Sequence, residues 1–327
     1  MKVIKPTPTT DANLYAGVGT EPSTYDQYRV NGIGALVNPV NWDSTYVAST
    51  YTAGQRVYRT QTHRIYEALG TIAANTNKPP ETMIETPGGL GVTATWLEVA
   101  PTNKWAMFDS VINSATKAVG FMFAIVSTSQ INSVALFGLI GTEAQVILRS
   151  GAYPGTVVYG PVTINLQGSK VTDWYDYFFS EFRQIDQAVL TDLPVYFQGN
   201  LEVSITGADV AIGQMAVGFA SQIGETEYGS SSGIVDYSVK TINAFGNSTF
   251  VERAYSKRMS AKVWMSNDDV DSVQTRLASV RATPCVWVGT EETKYNNLVV
   301  YGFYKDFTID VQDYSASSCT LEIEGLV

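Results

Sequence analysis

Histidine is almost absent from this chain: His63 is the only one in 327 residues. A lone imidazole excludes a multi-histidine metal centre and leaves a Ser-His triad without support. Cysteine is nearly as scarce. Cys285 and Cys319 do not make a disulfide framework. Both sit in apolar runs, PCVWVG and SCTLEIEG, and read as buried free thiols. Charge is also sparse, at 16%, where a quarter is usual. The charge present sums to −10. An acidic chain lacks the electrostatic footprint of a nucleic-acid binder, so no nucleic-acid sequence recognition is expected. No apolar run reaches the roughly 20 residues that span a bilayer, so no membrane insertion is expected either. The opening MKVIKPTPTT lacks the apolar stretch of a signal peptide, which predicts synthesis in the cytoplasm.

What the chain has is Tyr, Thr and short β-type runs. Hydrophobic residues make up 45%, enough to fold. Low charge with many aromatics is also the composition of surfaces that other subunits cover. Residues 1–38, rich in Pro, Thr, Gly and Asn, read as an extended N-terminal arm. Residues 39–94 read as a small β module. Its strands Arg56-Val57-Tyr58 and Ile65-Tyr66-Glu67-Ala68 form a hairpin, and Pro79-Pro80 closes it. Residues 95–232 hold strand after strand between Gly, Pro, Asn and Ser, the pattern of a β-sandwich. In LEVSITG, Leu201, Val203 and Ile205 alternate with Glu202, Ser204 and Thr206. Residues 233–327 read as β-β-α-β-β-β. The helix NDDVDSVQTRLASVRAT is capped by Asn267, turns Val270, Val273, Leu277 and Val280 to one face, and stops at Pro284. One helix on a sheet defines an α+β domain. The fold class is therefore mainly β, with a small aromatic module, a sandwich and a C-terminal α+β domain.

No nucleophile elbow, zinc spacing or phosphate loop occurs, so no catalytic residue, metal or cofactor is assigned. TPGGLGVT (86–93) has no Lys-Ser/Thr and no helix after it, and reads as a joint. Aromatic faces beside carboxylates describe sugar contacts. Two clusters carry that mixture: Trp42, Asp43, Tyr51 and Tyr66 in the small module, and Asp173 with Trp174 in DWYDYFF. The bland alternative is that the first rings are the core of a tiny module and the second fill the sandwich end. The strand SKRMSAKVWM gathers Lys257, Arg258 and Lys262. Either it meets acids such as Glu322 and Glu324 on a neighbouring subunit, or it is a solvated strand face. The stretch PTNKWAMFDS (101–110) reads as a structural corner. Pro101 and Asn103 turn the chain, and Trp105, Met107 and Phe108 close the sandwich end.

Three resemblances add to this reading. Trp42, Tyr51, Gly54, Val57, Tyr66, Ala68, Asn77 and Pro79 follow the pattern of the chitin-binding type 3 module, which grips sugars with aromatic rings. The loop TNKWAMFD and the run LEVSITGADVAIGQMAVG resemble galactose-binding, discoidin-like jelly rolls. The stretch from YGSSSGIVDYSV to SAKVWM, with RATPCVWVG and the final LEIEGLV, resembles virion proteins of tailed bacteriophages. The C-terminal β-helix-β order is also similar to phage tail-tube and distal-tail domains, which assemble as rings. That resemblance implies a structural component of a tail tip or baseplate, made in the host cytoplasm and carried in the virion. Its partners would be copies of itself, neighbouring tail proteins and host-surface polysaccharide. The alternatives are a peripheral glycan-binding tail protein and, from a different class, a glycoside hydrolase.

Overall fold

In the computed structural model the described residues are 1–18, 21–22, 28–29, 36–37, 40–41, 49–74, 79–84, 94–128, 130–151, 155–167, 173–179, 184–196, 198–243, 245–311 and 313–327. The strands run in chain order as β1 (Lys2–Pro6), β2 (Leu14–Val18), β3 (Glu21–Pro22), β4 (Tyr28–Arg29), β5 (Leu36–Val37), β6 (Val40–Asn41), β7 (Arg56–Arg59), β8 (Arg64–Ala68) and β9 (Trp96–Pro101). Then follow β10 (Thr116–Thr128), β11 (Ser133–Phe137), β12 (Glu143–Ser150), β13 (Thr156–Asn165), helix α1 (Trp174–Phe179), β14 (Gln187–Leu190), β15 (Gly199–Ile212) and β16 (Gln214–Gln222). The last part holds β17 (Glu225–Thr226), β18 (Ser231–Asp236), β19 (Val239–Ile242), β20 (Ser248–Val251), β21 (Tyr255–Ser266), helix α2 (Val270–Ser279), β22 (Cys285–Val288), β23 (Val299–Val311) and β24 (Ala316–Gly325).

The sandwich is a jelly roll. One sheet contains β1-β16-β11-β14 and the other β10-β15-β12-β13, with every neighbour antiparallel. This is the strand order of two interlocked Greek keys. Alternation builds its core. Ala144, Val146 and Leu148 of β12 lie opposite Ile205, Val203 and Leu201 of β15, and all six are buried. Met122, Ala124 and Val126 of β10 join them, with Leu136, Met215 and Val217 from the facing sheet.

The reading of residues 1–38 as an extended arm does not hold at its start. Lys2–Pro6 is the first jelly-roll strand, paired to β16 on one side and β22 on the other. Val3 and Ile4 are buried. β2 then lies along β10 in the second sheet, with β3 beyond it at the edge. The small module thus interrupts the jelly roll between its first and second strands. Its sheet is β6-β7-β8-β9, so Trp96–Pro101 belongs to it and not to the sandwich.

β1 also joins the jelly roll to the C-terminal unit, because the same sheet continues through β22-β23-β24-β21-β17, with β18 also on β21. α2 packs Val273, Leu277 and Val280 against Met259, Val263, Trp287 and Leu321 of that sheet. Asn267 does not cap the helix: a 3-10 turn, Asn267–Asp269, leads into α2, and the Ser266 hydroxyl caps that turn by accepting the Asp268 N–H. Asn267 instead donates its carboxamide to the carbonyls of Asp313 and Tyr314, tying the helix start to the loop before β24.

Candidate functional site

The sugar-contact candidates separate. Trp42 and Asp43 lie outside the described residues. Tyr51 and Tyr66 are 7% and 1% exposed. Tyr51 meets Trp96 edge to face at 5.2 Å, and both rings join Val57, Ala68 and Ile72 in the module's own core. The Tyr66 hydroxyl pairs with the Thr62 hydroxyl at 3.1 Å. Burial pushes its phenol pKa up. So few aliphatic side chains occur here that the aromatics supply the buried volume. Tyr51 and Tyr66, two of the four residues that suggested a sugar platform, are thus used internally.

Trp174 and Asp173 are different. α1 stands between β13 and β14, and Trp174, Tyr175, Phe178 and Phe179 are all exposed, Trp174 by 79%. The i,i+4 spacing stacks Trp174 on Phe178 at 6.4 Å and Tyr175 against Phe179 at 4.9 Å. Asp173 is exposed at the start of the helix. Four exposed rings in six residues form a contiguous apolar knob, a feature that marks interaction surfaces.

The basic strand resolves into two faces. Period-2 alternation puts Met259, Ala261, Val263 and Met265 of β21 in the core and Arg258 and Lys262 on the opposite, exposed face. On that outer face Arg258 is in register with Glu324, and Ser260 with Glu322, on the adjacent β24 of the same chain. Glu322 and Glu324 thus lie on the same sheet as the basic residues, on the strand beside them. Lys257 points to the other face, and its ammonium donates to the Gln187 carboxamide at 2.6 Å.

A surface that composition alone did not single out is the hairpin β19–β20. It forms a two-stranded sheet of its own, and every described residue of both strands is exposed. Phe245 at its tip is 90% exposed and Phe250 is 72% exposed, with Ile242 beside them. Asn243 shapes the turn, its side-chain oxygen accepting the N–H groups of Phe245 and Asn247. Gly246 takes the left-handed conformation, at φ +80°, that the Gly-Asn turn predicts. An isolated two-stranded ribbon is marginal in water, so this one is suited to lying against something else. The signal in the sequence was the alternation VKTINAFGNSTFV with no buried counterpart.

PTNKWAMFDS is a corner built by hydrogen bonds. The Asn103 carboxamide donates to the Lys117 carbonyl and accepts the Lys117 N–H, each at 2.9 Å. Thr116 donates its hydroxyl to the Asn103 carbonyl and accepts the Met107 N–H. Trp105 and Met107 are buried in the jelly-roll core. His63 of the small module stacks on Trp105 at 4.1 Å and pairs with Asp11 at 3.2 Å. Its position is thus accounted for by docking between the module, the chain after β1 and the jelly roll. Among the described residues no cluster of His, Cys, Asp or Glu is arranged to hold a metal ion. No described helix is long and apolar enough to cross a membrane.

No protein-family model matches the chain. No curated protein sequence matches it either.

Proposed function

We propose that this chain is a structural subunit of the tail tip or baseplate of a tailed bacteriophage, assembling with copies of itself in a ring of the distal-tail kind. The observation that carries the reading is the exposed apolar hairpin β19–β20, set in a chain with little charge. The resemblance of YGSSSGIVDYSV through SAKVWM, and of RATPCVWVG and LEIEGLV, to tail virion proteins supplies the context. The continuous sheet through β1 supports the same reading, since it joins the jelly roll to the C-terminal unit as one platform. In this reading the neighbours are other tail proteins, and the protein travels in the virion after synthesis in the host cytoplasm. Native mass spectrometry and negative-stain imaging of the purified protein test it. Closed oligomers are the expected result; a chain that stays monomeric alone and with its tail partners excludes a ring.

A second reading, a peripheral tail protein that contacts host-surface polysaccharide, is favoured by the α1 knob, where exposed ring faces lie beside Asp173. Binding to host polysaccharide that Trp174→Ala abolishes without changing the melting temperature would select it.

A further inference from the structure

We infer that the β19–β20 ribbon of one copy of this chain adds to the free edge of β14 in a second copy. The inference rests on the self-assembly proposed above and names its contact. β14 ends the ten-stranded sheet and, among the described strands, pairs with β11 alone. A sheet edge invites pairing unless it is defended. Both ends of the other jelly-roll sheet are defended: β13 carries Pro161 and shifts register against β12, and β3 is Glu21–Pro22. β14 reads QAVL, with no Pro and no charge.

β14 forms one side of a cleft of about 850 Å³ between the jelly roll and the C-terminal unit. Ile164, Ile185, Ala188 and Leu190 line it from the jelly roll, and Val288 and Val299 from the C-terminal sheet. Amides, hydroxyls and carboxylates share the lining, so the cleft offers donors and acceptors together with two apolar walls. A β-strand brings the matching mixture. Its backbone presents both N–H and C=O groups to an edge, and its side chains alternate toward the two sides.

The ribbon supplies such strands. β19 and β20 have four residues each, as β14 has. Val239 and Val251 pair on one face of the ribbon, and Ile242 and Phe250 lie on the other. Both faces therefore carry apolar groups, and all four are exposed. Lys240 is the one charged side chain from Val239 to Val251, so docking desolvates little charge. Covering Phe245 and Phe250 alone removes roughly 300–500 Å² from water. The aliphatic side chains and backbone carry the total toward the roughly 800 Å² that each partner gives a stable interface. The joint to β18 and β21 is held by hydrogen bonds: the Tyr237 N–H donates to the Ala254 carbonyl at 3.3 Å, and the Arg253 N–H to the Ser238 hydroxyl at 3.0 Å. The α1 knob, also apolar, is helical and cannot extend a sheet. Ribbon and edge are different surfaces, so each copy gives one and accepts one, the head-to-tail contact that closes rings.

Hydrogen exchange of the full chain, assembled and diluted to monomer, tests the contact without any variant. Exchange at Gln187–Leu190 and across the ribbon is expected to slow about tenfold or more on assembly. Variants then separate donor from acceptor. Phe245→Ser with Phe250→Ser disables the ribbon. Ala188→Pro and Val189→Pro are made as a pair, because N–H groups alternate sides along a strand and one of the two prolines keeps the β11 ladder. The proline variant that retains the wild-type melting temperature is the edge variant; if neither does, exchange decides alone. Ribbon and edge variants are each expected to be monomeric by native mass. Mixed in equal amounts they are expected to form a complex of two copies and nothing larger, since only one good ribbon and one good edge remain. Protection confined to the ribbon, assembly that persists in the edge variant, or a mixture that stays monomeric overturns the inference. Protection of both segments in a strict monomer overturns it in favour of a ribbon closed on its own chain. The ring fails separately: a complex that stops at two copies with both segments protected removes the ring and keeps the contact, and a ring with Gln187–Leu190 unprotected removes the contact alone.

Discussion

Trp105 shows how one side chain is used twice. Its ring fills the end of the jelly-roll core, and its outer face receives His63 at 4.1 Å. Trp105→Ala removes both contacts and leaves a cavity. The expected cost is on the order of 3–5 kcal/mol, read as a lower chemical-denaturation midpoint, while His63→Ala loses only the stack and shifts the midpoint less. The cysteines carry a second prediction at this scale. Burial pushes the thiols of Cys285 and Cys319 up to about 11. In the unfolded chain they ionise near the ordinary value, about 8.5. Between those two values the unfolded state has released protons that the folded state retains, so their contribution to stability falls as pH rises through that window. Below it the thiols are protonated in both states and add no pH dependence. Iodoacetamide at pH 8 is expected to leave both unmodified in the native protein and to modify both in denaturant. Replacing both with Ser should flatten the decline of the melting temperature above pH 9, though the buried hydroxyls lower stability overall.

At the scale of elements, local signals were the readable ones. α2 was legible from the spacing of Val273, Leu277 and Val280 and from Pro284, because a helix closes its bonds within its own segment. Its start was less so, since Asn267 opens a 3-10 turn capped by Ser266 and turns its carboxamide to the Asp313 and Tyr314 carbonyls, a contact between distant segments. The alternation in β15 and the corner at 101–110 were legible for the same local reason. β1 was not. Its five residues look like part of a Pro- and Thr-rich leader, and their partners lie more than two hundred residues away, at Gly218–Gln222 and Val286–Val288. Nor could the sequence say which aromatics are core. Tyr66 and Trp174 each stand beside acidic residues and both read as sugar contacts, and only packing buries the first and exposes the second. The consequence for β1 can be tested at Gly218. A Cβ there would stand 2.1 Å from the Lys5 carbonyl oxygen, so even alanine must push the strand away. Gly218→Ala is expected to cost about 1–3 kcal/mol. It should also raise hydrogen exchange at Val3 and Ile4 before the rest of the sheet opens. An unchanged exchange rate there would mean that β1 is held by β22 alone.

At the scale of the whole molecule, the surfaces left over after folding decide what the protein is for. On the outer face of the C-terminal sheet Arg258 lies in register with Glu324, so charges of both signs alternate there. On β19–β20 apolar groups stand exposed instead. Phe245, Phe250 and Ile242 are joined at the hairpin's base by exposed Ile234, Tyr237 and Tyr255. The hairpin contributes nothing to any of the four core clusters, so its side chains can be changed with little effect on folding. Phe245→Ser with Phe250→Ser is therefore expected to leave the melting temperature of the dissociated chain within about 2 °C of wild type. If the hairpin is the contact between copies, the same variant shifts native mass from the closed oligomer to the monomer at micromolar concentration. The core of an interface loses more than 1 kcal/mol for each aromatic anchor removed, and a ring multiplies that loss at every joint. An oligomer that persists in the double variant places the contacts elsewhere, on the α1 knob first, where Trp174→Ser and Phe178→Ser repeat the measurement.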